Sequence, residues 1–87
     1  MENLKKAWSE IDGVGIKAHD GLMILFGVRG SMVQVREELN EGDLRYNYLD
    51  GAIKCLDHGI ETLSDSLDKL EKEQERIGKI LRSEKAA

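Results

Sequence analysis

GLMILFGVRG occupies residues 21–30, and six of its ten residues are large and apolar, the others being three glycines and Arg29. Three structures compete for such a stretch: a buried strand, a membrane segment, or a helix without a polar side. The apolar run Leu22–Phe26 is far shorter than the roughly 20 residues that cross a bilayer, and Arg29 interrupts anything longer. A strand would alternate and would have a partner strand nearby. The run does neither, although AHDGL (18–22) has the make-up of a small hairpin turn. The helix remains, and a helix that is apolar all round has to be covered all round.

The rest of the chain supports helix. Stepping by seven from Leu4 and from Ala7 visits 24 positions, of which 20 are apolar, where a 40% hydrophobic composition gives about ten. One series runs Leu4, Ile11, Ala18, Leu25, Met32, Leu39 and on from Tyr46 to Leu81. The other runs Ala7, Val14, Gly21, Val28, Val35, and then Leu49 to Ile77. This is the pattern of helices that pack along a shared seam. With 34% charged residues, 5% aromatic and no proline, composition also favours helix over sheet.

A single helix is excluded by the turn signal NEGD (40–43), where Asn and Gly stop one helix and Asp43 caps the next. GVGIKAHDG (13–21) marks a second break, because each of its three glycines weakens a helix by about 1 kcal/mol relative to alanine. Asp20 is then the cap of the following helix, and Ser31 with Gln34 has the form of a capping box after Gly30. The expected fold is all-α. It has a short N-terminal helix near 3–12, a helix near 21–39, a turn at 40–43 and a long helix near 44–82, with a frayed tail at 82–87. The two arms fold into an antiparallel, coiled-coil-like hairpin. A tight turn puts Met32 near Leu49, Val28 near Ile53 and Leu25 near Leu56, and brings Arg29 to Asp50 and Arg36 to Asp43. A longer turn shifts every pairing by one heptad.

On this wheel Leu25 and Val28 belong to the seam, whereas Leu22, Met23, Ile24 and Phe26 do not. Two helices cannot cover that third face. Either the N-terminal helix, with Leu4, Trp8 and Ile11, folds over it in a monomeric three-helix bundle, or a second chain covers it. The second solution is the more economical, two hairpins pairing into a four-helix-type bundle. The expected interface is Trp8, Leu22, Met23, Ile24, Leu25, Phe26 and Val28. A homodimer is the first expectation, with a larger protein partner as the alternative. The segment 65–81 differs in kind. Its apolar residues keep to the seam, and opposite charges stand four apart at Asp65/Lys69, Asp68/Lys72 and Glu75/Lys79. That is a solvated surface.

No set of residues converges on chemistry. Cys55 and His58 are a two-ligand pair where structural zinc needs four, and the single cysteine excludes an internal disulfide. His19 and Asp20 are chain neighbours, which rarely face each other as a catalytic pair. GVGIKA (13–18) fits a loose dinucleotide fingerprint, but no βαβ context surrounds it. The expectation is no enzyme, no cofactor and no metal. A net charge of −4 from 13 basic and 17 acidic residues argues against nucleic acid. The charged N-terminus MENLKKAWSEID is no secretory signal, so a cytoplasmic location is expected. The sequence therefore reads as a self-associating interaction module with a regulatory or scaffolding role. A small acidic inhibitor or adaptor that blocks a larger protein, such as a nucleic-acid enzyme, is the alternative.

Overall fold

A computed structural model describes residues 2–86, with side chains described as far as residue 84. It contains two helices, α1 (Glu2–Glu37) and α2 (Leu44–Ala86), and no strand among the described residues. Contacts divide the chain into a terminal unit, Met1–Asp20 with Asp65–Ala87, and a turn unit, Gly21–Ser64. In each unit a stretch of α1 packs antiparallel on a stretch of α2. In the turn unit Arg29 meets Asp57 and Arg36 meets Asp50. In the terminal unit Asp12 accepts from Gln74 and His19 meets Glu71.

The separate helix at 3–12 and the break at 13–21 do not occur. Gly13, Gly15 and Gly21 are helical, and no described residue has a positive φ. A penalty of about 1 kcal/mol per glycine weakens a helix without stopping it, and the seam residues on both sides of this segment hold it in register. Asp20 lies inside α1 and is no cap. Ser31 starts no capping box either, because its hydroxyl donates to Gly27 O at 3.2 Å, one turn back along the same helix. AHDGL forms no hairpin. With residues 3–12 part of the one helix α1, the expected three-helix arrangement does not form.

The turn spans 38–43, two residues longer than expected. Glu38 N–H donates to Val35 O and Leu39 N–H to Arg36 O, tightening the end of α1. Asp43 caps α2 as expected, its Oδ1 accepting the Arg45 backbone N–H at 2.8 Å. With the longer turn the ion pairs move one heptad, from the expected Arg29–Asp50 and Arg36–Asp43 to Arg29–Asp57 and Arg36–Asp50. At the other end α2 continues to Ala86 instead of ending at 82, because Ser-Glu-Lys-Ala contains no strong helix breaker. Ala87 lies outside the described residues.

The core is narrow. Ile53, Ile60, Leu67 and Ile77 are the buried apolar residues, all on α2 and all on the expected seam. No described residue of α1 is fully buried. The inward positions of α1 keep the series Ala18, Leu25 and Met32, but from residue 15 onward their partners move by one. Gly15, Leu22, Arg29 and Arg36 turn inward, while Val14, Val28 and Val35 are exposed. Two four-residue steps in succession, from Ala7 to Ile11 and from Ile11 to Gly15, replace the alternation of three and four, after which the seven-residue spacing resumes with Gly15, Leu22, Arg29 and Arg36 beside Ala18, Leu25 and Met32. Arg29 and Arg36 are partly buried at these inward positions, and their guanidinium groups reach Asp57 and Asp50 on α2.

Candidate interaction surface

Between Gly21 and Val35 the only charged residue is Arg29. Its guanidinium is engaged inside the turn unit, where Nε and Nη2 donate to the two carboxylate oxygens of Asp57. That bidentate contact holds the Asp57 carboxyl below the usual carboxylate range. Facing this part of α1, residues 46–60 of α2 carry Asp50, Lys54 and Asp57 as their only Asp, Glu, Lys or Arg. Asp50 accepts from Lys54 at 3.0 Å and from Arg36 at 2.9 Å. These contacts, Lys54 first, keep its carboxyl below the ordinary value against the opposing effect of partial burial. Burial also works against the charge on Arg36, but bonds to Glu37 and Asp50 more than offset it. The Arg36 guanidinium stands 5.9 Å from the centre of the Tyr46 ring.

With these charges paired within the unit, the outside of α1 is left apolar. Met23 and Ile24 are 69% and 67% exposed, and Phe26, Val28 and Val35 are each close to half exposed. Helical spacing puts Ile24, Val28, Ser31 and Val35 on one stripe, beside a second stripe of Met23, Gly27, Gly30 and Gln34. Ser31 is bonded back to the helix and offers little polarity. Such a face differs from scattered surface hydrophobes because its members adjoin.

The expected interface residues thus divide. Met23, Ile24 and Phe26 lie outside the seam as expected, and Leu25 faces into it. Leu22 and Val28 exchange places: Leu22 turns inward and Val28 outward, as the irregular step at Gly15 requires. Val35 belongs to the exposed face and was assigned to the seam by the heptad count. Trp8 is in the terminal unit, where its indole packs beside Gly78, and it is 38% exposed.

The terminal unit has a different surface. His19 Nε2 lies 3.1 Å from Glu71 Oε1, so the imidazole has Glu71 as its partner, and Asp20 makes no contact with it. A notch of about 110 Å³ opens over Ile11, Leu67 and Leu70 where Gly15 has no side chain. Cys55 and His58, in the turn unit, are both exposed on α2. Among the described residues no group of three His, Cys, Asp or Glu side chains gathers as metal ligands, and no helix is long and apolar enough to cross a membrane. Comparison with known protein families, characterised proteins and solved structures finds no significant match.

Proposed function

We propose that this protein is a non-enzymatic helical interaction module that self-associates, with two hairpins pairing into a four-helix bundle, and that it serves a regulatory or scaffolding role. The observation that carries this reading is the uncharged outer face of α1 between Gly21 and Val35, whose single charge is already engaged by Asp57. Covering the exposed parts of Met23, Ile24, Val28 and Val35 is worth roughly 1 kcal/mol per side chain, or about 8 kcal/mol over two copies. Set against an association cost of about 4 kcal/mol, this corresponds to a Kd on the order of a millimolar.

The test is absolute mass by light scattering, from about one hundred micromolar to several millimolar protein. A mass that rises toward twice 9.8 kDa with concentration is expected. A chain that stays monomeric throughout overturns self-association, and the same face is then left for a different protein.

A further inference from the structure

We infer that the occupant of the exposed α1 face is the same face of a second copy, so that the contact is α1 on α1 and α2 stays on the outside. The inference rests on the self-association reading and adds which surface is used. Exposed apolar surface is the first argument: Met23, Ile24, Val28 and Val35 are about half to two-thirds exposed, whereas the large apolar residues exposed on α2 of the same unit are Leu44 and Tyr48. The shortage of cover is on α1, which has no fully buried described residue, while every buried apolar side chain is on α2.

Charge is the second argument. An isologous contact sets residue i against j and j against i, so every charge on the surface has to be desolvated and matched by an opposite charge of the same surface. The chain is net acidic, and most of its surface would repel a copy. The outer face of α1 over 23–35 has no such charge to desolvate or oppose. The outer side of α2 in the same unit is different, because Lys54, His58 and Glu61 are exposed there among small residues. A self-contact on α2 would have to desolvate these groups, of which Lys54 is already paired with Asp50.

The experiment is sedimentation equilibrium of the full chain, with helical content followed by circular dichroism. Met23→Asp puts a carboxylate on the face and is expected to weaken self-association by a hundredfold or more. Ser31→Lys places a good helix former between Ile24, Val28 and Val35, which keeps the fold intact, and is expected to weaken it at least tenfold. Ala52→Asp, on the exposed side of α2, is expected to change it less than threefold. If Ala52→Asp dissociates the oligomer while Ser31→Lys and Met23→Asp do not, self-association stands and the assignment to α1 falls. A wild-type chain that is monomeric at every concentration overturns both.

Discussion

Replacing Gly15 with alanine tests the feature in which structure and sequence pattern differ most. If residues 13–21 were a loop, alanine there would be neutral, or destabilising wherever the backbone needs a positive φ. In the continuous α1 the outcome has the opposite sign. Gly15 is helical and half-buried, and a Cβ built on it meets nothing within 4 Å. The helix gains about 1 kcal/mol from the lower conformational entropy of alanine in the unfolded chain. The added methyl sits at the edge of the notch over Leu67 and Leu70 and contributes a few tenths more, short of the roughly 0.8 kcal/mol of full burial. The sum is about 1–1.5 kcal/mol, and for a chain of this length each kilocalorie raises Tm by roughly 4–8 °C. The assay is urea and thermal denaturation followed by circular dichroism at one matched protein concentration, because association raises apparent stability. Gly13→Ala, also helical and in open space, is expected to give about 1 kcal/mol. Gly42→Ala, in the turn, has no helix to strengthen. If Gly15→Ala and Gly13→Ala leave the midpoint unchanged or lower it, α1 is broken where the glycines cluster and the reasoning fails.

Three other outcomes follow from the same contacts. Asp43→Ala removes the α2 cap and is expected to reduce stability by about 1 kcal/mol, while Asp43→Asn retains most of it. Equal losses in the two variants would mean that the bond to the Arg45 N–H is not the source. Ile53→Ala, at a position 3% exposed, is expected to lose about 2–5 kcal/mol, and Val14→Ala, more than half exposed, no more than about 0.5 kcal/mol either way. Comparable urea midpoints for the two would contradict the inward face. Asp50 and Asp57 both titrate below their ordinary value in the folded chain. Their contribution is therefore complete above about pH 4 and is lost as pH falls through the depressed folded values. Urea midpoints should fall in that window for the wild type and less for Asp57→Asn, and identical acid profiles would remove Asp57 from the account.

The amount legible in the sequence differs between the helices for a physical reason. On α2 the heptad positions from Tyr46 to Leu81 all prove buried or half-buried, because bulky apolar residues stand at almost every seam position and no other face competes. On α1 between residues 21 and 35 only Arg29, Ser31 and Gln34 are polar or charged, so composition offers little contrast between inside and outside. The phase had to come from the repeat, and the repeat changes its partner positions at Gly15. Arginine also misleads a count of apolar positions, since Arg29 and Arg36 score as surface residues although they are partly buried at inward positions. The turn length was the remaining ambiguity. Its two extra residues accompany the one-heptad difference between the expected and observed ion pairs, and local turn signals at 40–43 carry no information about residues 38 and 39.

These two shifts also determine the exposed apolar face of α1. Had α1 kept its seven-residue phase, Val14, Val28 and Val35 would face α2, and the arginines would stand on the outer flank as exposed charges. The outer face would then have been short, centred on Met23 and Ile24, and bordered by guanidinium groups that a second copy would have to desolvate. In the observed phase the arginines are turned toward Asp50 and Asp57. The valines take their place outside, and the uncharged face lengthens from a single turn to the span 23–35. The same rotation that gives the hairpin its ion pairs thus clears the opposite side of charge. In a hairpin with so few buried side chains, a surface suited to a second chain follows from the way the first pair is held in register.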